Sequence, residues 1–103
     1  MKAIIKEVVK EPKVIDVENT LEALQKAVGG YLEAVRVGNG VIMLCDEEGR
    51  MKGSPYNFDL GSEKIVGNVI FTNNDDSKED FADLDDKQIE TVLHFFSRTP
   101  YTT

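Results

Sequence analysis

Two runs decide the fold: Tyr31-Leu32-Glu33-Ala34-Val35-Arg36-Val37 and Val41-Ile42-Met43-Leu44-Cys45, joined by Gly38-Asn39-Gly40. Both are rich in β-branched and apolar residues, which suit a pleated, half-buried strand. Asn-Gly between them supplies the positive φ angles of a type I′ turn, so the pair reads as a β-hairpin. The second run is apolar at every position, as expected of a central strand covered on both faces.

Upstream, Lys2 to Val9 reads as a first strand and Val14-Ile15-Asp16-Val17 as its hairpin partner, separated by the polar turn Lys10-Glu11-Pro12-Lys13. Asn19 is the predicted N-cap of a short helix, with Glu22 completing a capping box. Leu21, Leu24 and Val28 recur at helical spacing, and Gly29-Gly30 ends the helix. Two to three turns are marginal alone, so this helix must pack on the sheet.

Downstream, Asp46-Glu47-Glu48-Gly49 turns the chain back. The segment from Arg50 to Lys64 reads as a loop that mixes turn formers with Tyr56, Phe58 and Leu60. Lys64 to Thr72 resumes a strand, with Gly67 as a bulge or a close backbone approach. Residues 73–83 read as a solvated acidic loop. Asp85 then caps a second helix, Gln88 completes its capping box, and Leu84 is placed to staple onto Ile89. Ile89, Val92, Leu93 and Phe96 form one apolar stripe. The expected fold class is α+β: a mostly antiparallel sheet of about five strands, two hairpins plus a later strand, packed with a short helix and a C-terminal amphipathic helix.

The chain has 103 residues, 41% hydrophobic and 30% charged, the balance of one globular domain spanning 1–103. The N-terminal residues lack an apolar signal-peptide core, and no run approaches the roughly 20 apolar residues of a membrane span. The expected location is the cytoplasm. Net charge is −7, and residues 73–86 hold seven acids against Lys78 alone, so nearly all the excess lies there. Such a face repels nucleic acid backbones and anionic membranes, and direct binding to either is not expected.

Side chains for catalysis are few. Cys45 sits in an apolar run and reads as a small buried hydrophobe. His94, the only histidine, has Glu90 and Arg98 at helical spacing and reads as solvent-facing. One histidine and one cysteine cannot complete a zinc site within one chain. Asn74, Asp76 and Lys78 do not follow an EF-hand calcium loop. Asp46, Asp59 and Glu63 could supply paired carboxylates, but no spacing requires it, and no phosphate loop or nucleophile elbow is present. No catalytic residue, metal or cofactor is expected. Asp46, Asp59 and His94 would be the candidates if the protein were an enzyme.

Two surfaces remain as candidates for recognition. Arg50, Lys52, Tyr56, Asn57 and Lys64 bring cations, an amide and an aromatic ring into one segment, a set suited to a small nucleotide ligand. The alternative for that segment is that Tyr56, Phe58 and Leu60 plug one end of the core. Asp75, Asp76, Glu79, Asp80 and Asp83 form the second surface, which could mimic a nucleic acid and occupy a basic groove on a host protein. An exposed hairpin edge also leaves a homodimer or higher homo-oligomer open.

The order Asn19-Thr20-Leu21-Glu22-Ala23-Leu24-Gln25, Val28-Gly29-Gly30-Tyr31-Leu32-Glu33 and Asp46-Glu47-Glu48-Gly49-Arg50-Met51-Lys52-Gly53, followed by Pro55, Asn57, Leu60-Gly61 and Ile65-Val66-Gly67, resembles the domain of unknown function 3846 family. These are small proteins of bacteriophages and bacterial mobile elements. The resemblance implies no activity and no catalytic residues. It implies a setting: an accessory protein that binds a host component, as a defence inhibitor or a sponge for a nucleotide signal.

Overall fold

The computed structural model describes residues 1–75 and 80–97. It is α+β, with a six-stranded antiparallel sheet, a separate two-stranded sheet and two helices. The first hairpin pairs β1 (Lys2–Lys6) with β2 (Lys13–Asp16). Helix α1 (Leu21–Val28) leads to β3 (Leu32–Gly38) and β4 (Val41–Asp46). A second small hairpin, β5 (Tyr56–Leu60) and β6 (Glu63–Val66), precedes β7 (Val69–Asp75), β8 (Asp80–Ala82) and helix α2 (Asp86–Ser97). Strand order in the main sheet is β2-β1-β7-β4-β3, with β8 continuing the β1 side of β7.

The β3–β4 turn is as the sequence requires: Asn39 and Gly40 both have positive φ, 55° and 78°. Pairing runs from Leu32↔Asp46 to Gly38↔Val41, with a bulge between Arg36 and Gly38. β4 lies between β3 and β7, and its alternate residues feed two separate cores. Val41 and Met43 join Ile4, Val69, Phe71, Phe58, Leu84, Val92 and Phe96 on one face. Ile42 and Leu44 join Ala3, Ile70, Leu24 and Val28 on the other. Helix α1 therefore covers one face, while α2 and the β5–β6 hairpin cover the opposite one. The period-2 geometry of a strand makes this division unavoidable once both faces are apolar.

Several local expectations change. The first strand stops at Lys6, because Glu7 to Lys10 form a turn in which Val9 takes φ 62° and stays exposed. Thr20, not Asn19, caps α1: its hydroxyl accepts from the Ala23 N–H, while the Asn19 amide donates to the Phe81 carbonyl. Leu21 is exposed, so Leu24 and Val28 carry the packing. Residues 56–66 are no loop. Gly61 (φ 62°) and Ser62 make a two-residue turn, and Tyr56, Asn57, Phe58 and Lys64 stand on paired strands. Gly67 (φ 75°) then turns the chain, so the strand expected over 64–72 is two strands in different sheets. The acidic loop likewise shortens, since β7 runs on to Asp75 and pairs with β8.

Helix α2 is as expected. The Gln88 side chain accepts from the Asp85 N–H and the Asp85 carboxylate from the Gln88 N–H, at 2.9 and 2.7 Å. Val92 and Phe96 are buried, and Ile89 and Leu93 pack beside them.

Candidate functional site

The β5–β6 hairpin covers the Met43 face of the main sheet only in part. Phe58 anchors it, with ring centroids 4.9 Å from Phe96 and 6.3 Å from Phe71. Between the hairpin and the β3–β4 pair a cleft of about 380 Å³ stays open. Val35, Met43, Leu60 and Ile65 supply its apolar lining, and Met51, 86% exposed, stands at its margin. The charged groups around it are Glu33, Asp46, Glu47 and Glu63 against Arg50 and Lys64, so the lining is net acidic.

Of the five residues expected to contact a ligand, the structure brings Arg50 and Lys64 to this cleft. The Arg50 guanidinium donates to Glu63 at 2.9 Å and to the Lys64 carbonyl at 2.8 Å. The Lys64 ammonium lies 3.6 Å from Asp59 and 5.5 Å from the centre of the Tyr56 ring. Both cations thus have acidic partners already, and Tyr56 stands beside Lys64 without lining the cleft.

Lys52 and Asn57 do other work. Lys52 donates to the Asp46 carboxylate at 2.9 Å and to the Gly29 carbonyl at 3.2 Å, tying the 46–53 turn to the end of α1. The ammonium and the Glu48 N–H both donate to Asp46 and hold its carboxyl below the usual carboxylate range. The same hydrogen bond raises the Lys52 pKa. Gly30 is required here, because a Cβ would run into the Asp46 carboxylate. Asn57 is buried beneath the hairpin. Its amide donates to the Lys6 and Gly67 carbonyls, and its oxygen accepts from the Lys6 ammonium at 2.8 Å. Lys6 is itself fully buried, and burial lowers its pKa. A buried cation needs such acceptors, which is why an amide stands at position 57.

The one thiol lies in the cleft wall. Desolvation, with the Glu33 carboxylate second, pushes the Cys45 pKa up to about 11, so the thiol stays protonated at neutral pH and is a poor nucleophile. Asp46 is committed to Lys52, Asp59 faces Lys64 on the hairpin, and His94 is exposed on α2. The structure does not bring these three together. Among the described residues no three His, Cys, Asp or Glu side chains group as a metal site. Nor is any helix among them long and apolar enough to cross a membrane.

On the acidic surface, Asp75 and Asp80 are direct cross-strand partners in the β7–β8 pair, and Asp83 accepts from the Lys2 N–H at 2.8 Å. Asp76 and Glu79 lie outside the described residues. Nothing in the sequence marks Glu33, Glu47 or Met51 as site residues, while Leu60, expected as a plug for one end of the core, packs against it and lines the cleft as well. Gly61-Ser62 between two short β-prone runs is the signal that could have exposed the hairpin, and with it the cleft.

No curated protein and no solved structure matches the chain. Residues 1–97 match the family described as Domain of unknown function (DUF3846), and with almost the whole chain covered, the protein belongs to that family.

Proposed function

We propose that this protein works by recognition without turnover, binding a host component through the cleft between β3–β4 and the β5–β6 hairpin. The setting is that of a cytoplasmic accessory protein of a phage or mobile element, with inhibition of a host defence as its use. One observation carries the reading: an open cleft of about 380 Å³ with an apolar lining, rimmed by two cations that are already ion-paired, by the carboxylates of Glu33 and Glu47, and by a protonated thiol. Apolar lining with a few fixed polar groups is what binding sites use, and its size is within their usual range. The net acidic lining favours a cationic or neutral partner over an anionic nucleotide.

The test is capture from bacterial lysate with immobilised wild-type protein and the Met51→Glu variant, followed by mass spectrometry. Met51 is exposed, so its replacement spares the core. A protein retained by the wild type and lost with Met51→Glu supports the reading. Equal retention by both removes the cleft from it. A native mass-spectrometry screen with cyclic nucleotides runs alongside, and a stoichiometric adduct would restore the nucleotide-sponge version.

A second reading keeps the acidic mimic. Asp75 and Asp80 face each other across β7–β8, a placement of like charges that weakens a strand pair. Binding through that end would fall, and lose its salt dependence, when Asp75 and Asp80 are changed to Asn.

A further inference from the structure

The cleft has a neighbour, and β3 borders both. A second cavity, of about 120 Å³, is lined by Val37, Val41, Leu60, Phe71, Val92 and Phe96. Glu33 and Val35 line the first cavity and Val37 the second, so residues two apart on one face of β3 run past both in succession. β3 is also the last strand of the sheet, and its outer side pairs with no strand among the described residues. The Glu47 N–H donates to the Tyr31 carbonyl at 2.8 Å, which fixes the alternation of the ladder. Glu33 and Val35 therefore exchange hydrogen bonds with β4, while the N–H and C=O groups of Leu32 and Ala34 point away from it. Native edge strands are usually blunted by bulges, prolines or short length. Here the bulge is confined to Arg36–Gly38 at the loop end, and Leu32 to Val35 are regular.

The chemistry of an occupant can be read from the two cavities. Around the first, Arg50 is paired with Glu63 and Lys64 with Asp59, whereas Glu33 and Glu47 have no ion pair among the described residues. Their charge calls for a cation. The second is almost wholly apolar. Glu33 and Val37 are four residues apart, about 13 Å along a strand.

Resting on the reading that the cleft is the recognition surface, we infer that β3 accepts an extended segment of a partner protein as an added strand. That segment carries a lysine or arginine over the first cavity and an apolar side chain, four residues away, in the second. Main-chain hydrogen bonds to Leu32 and Ala34 give the pairing, and the two cavities give its selectivity.

The test is a displayed library of random heptapeptides panned against the whole chain, with the best binder then synthesised. The expected winners carry Lys or Arg four positions from Val, Leu, Ile or Phe. Their affinity falls at least tenfold with the double variant Glu33→Lys, Glu47→Lys, and again with Ala34→Pro, which removes the outward N–H from an edge strand that tolerates proline. The Leu32 and Ala34 amides become protected from hydrogen exchange in the complex. Should Ala34→Pro fold poorly, the charge variant and the exchange measurement still decide.

Winners without that spacing, or unprotected amides, overturn strand addition, while the cleft reading survives if Met51→Glu still weakens them. Winners indifferent to Met51→Glu overturn both. No enrichment overturns strand addition. Sedimentation of the protein alone showing a dimer that Ala34→Pro dissociates would replace the foreign segment with a second copy of this chain.

Discussion

At the scale of single residues, the Asp46–Lys52 pair is the charge interaction whose pH behaviour is best defined. The folded pKa of Asp46 lies below 3.8 and that of Lys52 above 10.5. A depressed carboxylate stabilises the fold above its unfolded pKa and loses that contribution as pH falls through the folded value. A raised ammonium stabilises below its unfolded pKa and loses it as pH rises through the folded value. The pair is therefore fully effective between about pH 4 and about pH 10.5. Urea unfolding of wild type and Asp46→Asn across pH should show a constant deficit for the variant through neutrality that shrinks in acid. A deficit unchanged at low pH would mean that the carboxylate charge is not its source. Thr72 is the opposite kind of polar residue: fully buried at the sheet centre, its hydroxyl has no hydrogen-bond partner among the described residues. Replacing an unsatisfied buried hydroxyl with a methyl of the same shape removes a desolvation cost. Thr72→Val is expected to unfold at the same or higher denaturant concentration, with a gain of up to about 1 kcal/mol. A loss of that size would show that the hydroxyl is satisfied in solution.

At the scale of elements, what could be read from sequence was what is local. Asn39-Gly40 is a two-residue signal for its own turn, and Asp85 and Gln88 cap the helix that they begin. The β5–β6 hairpin is hard to see in the sequence because its core-packing apolar residues, Phe58, Leu60 and Ile65, answer to a core whose other members lie far along the chain, Phe58 meeting Phe71 of β7 and Phe96 of α2. The cleft was missed with it, since its walls come from two sheets that only tertiary packing brings together. Asn57 was misread for a related reason: a buried amide that satisfies the Lys6 ammonium looks, in one dimension, like an exposed amide waiting for a ligand. Gln88 illustrates how a local motif acquires a distant duty. Besides closing the capping box, its amide N–H₂ donates to the Asn39 carbonyl and the Asn73 side-chain oxygen, both at 2.9 Å. The Asn73 oxygen also accepts from the Asn74 N–H, so the amide cannot flip without losing a bond. A capping box by itself accepts Glu as readily as Gln. In this protein Gln88→Glu would set a carboxylate against two acceptors and should cost about 2 kcal/mol at neutral pH. Below about pH 4, where the carboxylic acid can donate again, part of that loss should return. Equal stability of the two proteins at pH 7 would reduce Gln88 to an ordinary cap.

At the scale of the whole molecule, the hairpin and the main sheet share no strand pairing, so their union depends on side chains. Phe58 is the principal one. It is 1% exposed and sits edge-on to Phe96 and Phe95 and tilted against Phe71, contacts that join β5, β7 and α2 at one point. Removing a buried phenyl ring costs about 3–5 kcal/mol through lost transfer energy and the cavity left behind. Against a total stability of about 5–15 kcal/mol for a domain, that is a large share. Phe58→Ala is therefore expected to lower the melting temperature by roughly 15–30 °C, whereas Phe58→Leu, which keeps most of the apolar volume, should cost about 1–1.5 kcal/mol. The shape of the transition is as informative as its midpoint. If the ring is what makes hairpin and sheet one cooperative unit, Phe58→Leu melts in a single step followed equally by far- and near-ultraviolet circular dichroism. If Phe58→Ala leaves the sheet melting near the wild-type temperature, the hairpin is an appendage and the cleft beside it has no rigid wall. The recognition reading needs the first outcome, because a cleft whose far side detaches cannot hold a partner in one register.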